Sequence, residues 1–313
     1  MKRLSCVFLG VCIAPNLFAN QELVFNGEAK ASYLYNSALS VDELDQVNTQ
    51  GDNGIQFDGS LAATWTPTDT FKLTTGLGYS NSQYSELEQF DLTLYRFNID
   101  GSYALENRDI GIRIDNVEAH LQGNKFLSFQ QVSAYTGQFL TATTFLRTSV
   151  NYKNKTFPDL SPRDATSLGL SGDLFHFIND AKTMLSANIN IEKEQATDKQ
   201  FDFTGLGLKT RISHKFTWLG LDNKAGLSWK YQIKNHPKVE ISEAQDQSFF
   251  EPGSPAQIIE RDQYRSVTTA DWELNITNNV SIKTEVEYGN YNANLAQLDY
   301  QQTKVNLSIS ARF

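Results

Sequence analysis

The chain has 313 residues, 12% of them aromatic, a net charge of -9 and a mean hydropathy of -0.41. A chain this acidic is a poor partner for nucleic acid, whose binding rests on neutralising phosphates. Beyond its first residues it also lacks the run of about 20 apolar residues that a spanning helix needs.

At the start, Lys2 and Arg3 precede an apolar run from Leu4 to Ala14, then Pro15, Asn16 and Leu17-Phe18-Ala19. A basic start, a short apolar run and a small residue at the cut describe a secretory signal peptide. Residues 1-19 are therefore expected to be cleaved, leaving 20-313 as the mature domain. Leu9-Gly10-Val11-Cys12 is a weaker lipoprotein-like alternative, spoiled by bulky Val11. Both cysteines, Cys6 and Cys12, lie in this leader, so the mature chain can form neither a disulfide nor a thiolate metal site. Losing Lys2 and Arg3 takes the 27 basic residues to 25 against 36 acidic ones, a net charge of -11.

From Phe25 the chain settles into a period of two, the pattern of a strand with one oily and one wet face. Phe25, Gly27, Ala29, Ala31, Tyr33 and Tyr35 alternate with Asn26, Glu28, Lys30 and Ser32. Ile55 to Trp65, Phe71 to Tyr79 and Tyr95 to Tyr103 repeat the pattern, with Asp58, Arg96 and Asp100 on the wet faces. Weaker segments fall at 109–121, 125–137, 142–154 and 166–176, where the register is open by a residue or two. Leu185 to Ile191, 203–216, Ala225 to Ile233, 262–274 and Val280 to Tyr288 follow. The last stretch, Asp299 to Phe313, sets Thr303, Val305, Leu307, Ile309, Ala311 and Phe313 against Lys304, Asn306, Ser308, Ser310 and Arg312.

A soluble sheet seldom ends on such a strand, because an exposed edge invites pairing with other chains. A closed barrel has no edge and satisfies every backbone group between neighbours, as a bilayer demands. The fold class is therefore all-β, a transmembrane antiparallel up-and-down β-barrel of about fourteen strands, with twelve and sixteen as even alternatives. Val305, Leu307, Ile309, Ala311 and Phe313 resemble the C-terminal assembly signal of bacterial outer-membrane barrels.

Connections alternate in length, with short turns expected on the periplasmic side and long loops outside. The turns fall at Pro67-Asp69, Leu105-Arg108, Gly137-Leu140, Phe177-Asp180, Trp218-Asn223 and Asn275-Asn279. The loops fall at Ala38-Asp52, Asn81-Gln89, Lys155-Ala165, Gln195-Lys199, His236-Arg261 and Asn290-Leu298. Pro67, Pro158, Pro162, Pro237, Pro252 and Pro255 all avoid the strands, as residues that cannot donate to a ladder should. Trp65, Phe71, Tyr103, Phe216, Trp218 and Trp272 group near the turns and Tyr33, Tyr79, Tyr152, Tyr231 and Tyr288 near the loops, as two aromatic girdles.

The wet faces would line an aqueous lumen. Candidate selectivity residues are Lys30, Asp58, Arg96, Asp100, Arg113, Asp115, Arg147, Glu192, Lys209, Arg211, Lys230, Lys283 and Glu285, which could equally brace the wall as ion pairs. Glu28, Asp173, Asp271, Glu273, Glu287 and Arg312 share that face. The loop His236-Arg261 could fold inward and narrow the mouth. The acids Asp42, Glu43, Asp45, Glu86, Glu88 and Asp91 read as solvated loop residues able to bridge divalent cations at the lipopolysaccharide level. His120, His176, His214 and His236 have no evident Ser/Asp partner, so no catalysis, cofactor or protein-held metal is expected.

The run HLQGNKFLSFQQVSAYTGQFLTATTFLRTSVNYKNKTFPDLSPRDATSLGLSG (His120 to Gly172), with Arg163-Asp164 entering the next strand and Asp299-Tyr300 before the last, is similar to barrels of surface lipoprotein assembly modifiers and related tetratricopeptide-linked proteins. That resemblance implies a fourteen-stranded barrel and a role in moving lipoproteins to the cell surface. Here the first strand begins within a few residues of the expected cut, which leaves no room for a repeat domain. Monomeric fourteen-stranded porins are similar in size. The reading is a porin-like channel for passive diffusion of small hydrophilic solutes across a Gram-negative outer membrane. Its alternatives are an export or assembly barrel for a surface protein or lipoprotein, or a structural barrel with a plugged lumen. Expected partners are outer-membrane lipid and lipopolysaccharide, periplasmic chaperones and the barrel assembly machinery, but not nucleic acid. The sequence leaves the oligomeric state open.

Overall fold

A computed structural model describes residues 22–237, 239–241, 257–259 and 261–313. The expected leader and its cut, Pro252, Pro255 and most of the 236–261 loop lie outside the described residues. In chain order the strands are β1 (Glu22–Asn36), β2 (Leu39–Val41), β3 (Gln46–Asn48), β4 (Asp52–Thr66), β5 (Phe71–Tyr84) and β6 (Leu92–Ala104). Next come β7 (Asp109–Leu121), β8 (Asn124–Thr141), β9 (Thr144–Thr156), β10 (Ala165–Ile178), β11 (Thr183–Ala196) and β12 (Phe203–Trp218). The last are β13 (Leu221–Asn235), β14 (Val239–Ile241), β15 (Gln257–Ile259), β16 (Gln263–Asn275), β17 (Val280–Ala293) and β18 (Tyr300–Arg312).

All but two short hairpins, β2–β3 and β14–β15, join one closed antiparallel barrel of 14 strands. The seam pairs β1 with β18, from Glu28 opposite Arg312 to Asn36 opposite Lys304. Beyond it, the Gly27 N–H donates to the Phe313 carbonyl at 2.7 Å and the Phe313 N–H donates back to Gly27 at 3.0 Å. The terminal residue thus completes the ladder, and no edge is left to pair elsewhere.

Alternation decides which side chains meet lipid. Phe25, Ile110, Ile112, Leu168, Leu170, Ile189, Ile191, Leu307, Ile309 and Phe313 are all exposed on the outer wall. Their sequence neighbours turn inward. Leu307→Arg should therefore destabilise the barrel in lipid vesicles by about 2–4 kcal/mol. Asn306→Arg, which faces Glu285 across the β17–β18 pair, should cost far less. Equal denaturant midpoints for the two variants would contradict the assignment of faces.

Two connections differ from expectation. Gly137-Leu140 is not a turn but lies inside β8, which reverses at Ala142-Thr143 instead. The Phe145 ring occupies the space a side chain at Gly137 would need, so this glycine marks a close approach within a strand. On the loop side, β7 and β8 are joined by Gln122 and Gly123 alone, at φ of 50° and 80°. Two successive positive φ values give the tight turn that matches strand twist.

Near their loop-side ends, β6 to β9 invert the usual polarity. Above Ile110, Ile112 and Ile114, the outer face of β7 changes to Asn116, Glu118 and His120, and Lys125 holds Glu118 at 2.7 Å. The inner face there is apolar, with Ala119, Leu127 and Phe157 forming a buried cluster flanked by Leu92, Leu94, Phe129 and Leu44. A wall that is wet outside and oily inside is one that has risen above the hydrocarbon and encloses a small core. Leu44 belongs to the first loop, and that loop is the unexpected part of the fold.

Candidate functional site

The loop between β1 and β4 folds inward and lies across the outer mouth of the barrel. Its near side is held by apolar anchors and backbone bonds. Ala38 is fully buried against Tyr291 and Tyr300, whose rings stack at 4.4 Å and 4°. Leu39 is buried with Leu87 and Phe90 of the next loop. The Ser37 N–H donates to the Thr303 carbonyl at 2.9 Å, the Thr303 N–H donates to Ser37 Oγ at 2.8 Å, and the Gln302 amide donates to the Ala38 carbonyl. Asp52 accepts from the Glu86 and Leu87 N–H groups at 2.8 Å each and so ties the two loops together. Residues 42–44 form a single helical turn that ends at Asp45 in the left-handed region, φ 54°, which a short polar side chain tolerates.

The far side of the loop is held by charge. Asp42 pairs with Arg265 on β16, and Arg265 also lies over the Tyr291 ring. Glu43 meets Lys155 on β9 at 2.9 Å, and Lys155 in turn meets Glu194 on β11 at 3.1 Å. Asp45 takes two guanidinium groups, Arg163 at 2.8 Å and Arg261. Both arginines lie over the Phe201 ring, at 4.1 and 4.9 Å. Around the barrel, β9, β10 and β11 stand opposite the β1–β4 pair. The loop therefore reaches from one wall to the other.

These contacts correct the reading of Asp45 as a solvated acid, since its side chain is 7% exposed between two arginines. Asp42 and Glu43 stay partly in water, but each gives one oxygen to a wall cation. Burial opposes ionisation of Glu43, but Lys155, Lys234 and Arg265 hold it below the usual carboxylate range. Burial likewise opposes ionisation of Asp45, and Arg261 with Arg163 overcomes it. His236 sits by the same latch, where burial and then Arg261 and Lys234 pull its pKa down to about 4. Expected narrowing by the 236–261 loop falls largely outside the described residues, and the first loop is the one seen covering the mouth.

Below the lid, each candidate selectivity residue lies on the inner face, and many are paired. Lys30 meets Asp58 at 2.9 Å, and Arg113 meets Asp115 at 2.7 Å and Asp100 at 4.0 Å. Glu192 pairs with Lys153, Lys283 with Glu285, and Arg211 with Asp271 at 2.8 Å. Glu287 takes Lys304 at 3.2 Å, while Arg312 bridges Glu273 at 2.8 Å and Glu28 at 3.7 Å. Arg147 lies 3.7 Å over the Tyr135 ring rather than on its cross-strand neighbour Asp173. Arg96, Lys209 and Lys230 make no ion pair among the described residues. Lys234 and Lys304, on the wet faces of their strands, also lie inside, and so do Lys153, Lys155, Glu194 and Arg265, which are not among the candidates.

No known family profile matches the chain, and no curated protein is similar to it in sequence. Among solved structures it is similar to CdiB from Acinetobacter baumannii, with TM-score 0.51 and 10% identity over 92% of this chain and 60% of that one. The chain thus spans less than two thirds of that protein. It is also similar to an anion-selective porin from Comamonas acidovorans, with TM-score 0.51 and 9% identity over 94% of this chain and 100% of that one. OmpT of Vibrio cholerae, in its trimer form, gives TM-score 0.52 and 7% identity over 94% and 99%. The shared feature is the fold, that of a bacterial outer-membrane β-barrel.

Proposed function

We propose that this barrel is a pore for small hydrophilic solutes whose outer mouth is covered at rest by the loop 37–51. The observation that carries the reading is a charged lumen closed by a loop pinned at both walls rather than filled by it. A lumen meant only to be solid would need no latch of ion pairs at its rim. The loop contacts also support a second reading, a structural barrel that stays sealed.

Planar-bilayer recordings of the refolded protein separate the two. Wild type should show rare, brief openings, and a variant with residues 39–48 replaced by a short Gly/Ser link should stay open. A shortened variant that carries no current would sink the pore and leave the sealed barrel.

A further inference from the structure

The inner wall carries a file of basic residues that make no direct ion pair among the described residues. Lys209 on β12 and Lys230 on β13 are direct cross-strand partners, an arrangement of like charges that is destabilising by itself. Lys234 lies further up the same wall, with its ammonium 4.6 Å over the Phe203 ring. None of the three makes an ion pair among the described residues. The nearby carboxylates are already engaged: Glu287 by Lys304, Asp42 by Arg265, and Glu43 and Glu194 by Lys155.

Removing the ion pairs from the inner face leaves a surplus of one sign. Arg96, Arg147, Lys209, Lys230 and Lys234 remain on the basic side. On the acidic side Asp173 remains, and it takes the Asn188 amide at 2.7 Å. Arg113, Lys155 and Arg312 each serve two carboxylates, so the paired groups keep three extra negative charges. The positive balance is therefore small over the whole lumen and is concentrated where Lys209, Lys230 and Lys234 share the β12–β13 wall. Near the top of the file Arg265, on the neighbouring strand β16, already holds the lid carboxylate Asp42, and Lys155, across the mouth on β9, holds Glu43.

We infer that the Lys209–Lys230–Lys234 file is a binding path for small carboxylate or phosphate anions, which enter by replacing the lid carboxylate Asp42 beside it. The inference rests on the pore reading and adds the sign of the solute. Low-dielectric walls focus the field of such a file and raise the local anion concentration.

Reversal potentials of the refolded full-length protein in a KCl gradient test it, with citrate as the probe anion. Chloride should pass several-fold faster than potassium, and citrate should cause transient blocks. In Lys209→Gln/Lys230→Gln the preference should fall toward one and the blocks should vanish. Lys209→Glu/Lys230→Glu, confirmed as folded by its heat-modifiable gel mobility, should prefer potassium. Current without anion preference, or a preference that both variants leave unchanged, overturns the inference while the pore survives. Absence of current even with the lid shortened overturns the pore and the inference together.

Discussion

Asp45→Asn is expected to hold the pore open for most of the time at neutral pH. The Asp45 side chain is 7% exposed, and those of its partners Arg163 and Arg261 are 13% and 8% exposed. Removing this carboxylate would leave two buried guanidinium groups facing each other without an anion. Breaking a buried pair from one side costs about 3–5 kcal/mol, whereas loss of an exposed pair costs about 0–1 kcal/mol. At roughly 1.4 kcal/mol per tenfold, the ratio of closed to open lid should fall by about two to three and a half orders of magnitude. The barrel ladder does not involve Asp45, so detergent resistance and melting of the wall should be unchanged. Glu88→Gln, at an exposed position in the next loop, is the matched control and should leave the recordings as they were. Long closed times in Asp45→Asn would mean that Ala38, Leu39 and Leu44 hold the lid without help from charge.

The wall could be read from the sequence because each strand writes its two faces alternately, and one face must be apolar to meet lipid. Lys30, Lys230, Lys283 and Glu285 could be assigned to the lumen on that ground alone. The rule fails where its premise fails. At the loop-side ends of β6 to β9 the apolar residues Leu94, Ala119, Leu127 and Phe129 face inward, and a bulge at Ala119/His120 shifts the pairing. Strands β7 to β9 of this region are among those whose register the alternation left open. The lid was invisible for a different reason. Asp42, Glu43 and Asp45 sit in a segment with no period, and their counter-charges Arg265, Lys155, Arg163 and Arg261 lie 112 to 223 residues away. A trace was nevertheless present. Leu39, Val41 and Leu44 are interleaved with the acids, and a loop that merely sat in water would have no use for them.

Acidification should open the lid in two stages, and the sign follows from the direction of each shift. His236 has a pKa near 4 with the lid closed, against about 6.5 for a solvated histidine. A group whose pKa is depressed by burial binds fewer protons in the closed state, so lowering the pH below about 6.5 favours the open state, which takes the proton. The groups around it act in concert: Arg261 and Lys234 resist its charging, while Asp45 and the Asp202 backbone favour it only weakly. Opening relieves only the part of the depression that comes from burial beneath the lid, because Arg261 and Lys234 stay beside His236. Glu43 and Asp45 are depressed as carboxylates, so the stability they give the latch is complete above the ordinary range near pH 4 and is lost as the pH falls through their lowered values. Open probability should thus rise between about pH 6.5 and 4 and rise again below that. His236→Gln, which cannot take a charge, should flatten the first rise and keep the second. A pore that closes on acidification, or a first rise that survives His236→Gln, would show that the latch is not set by these three side chains.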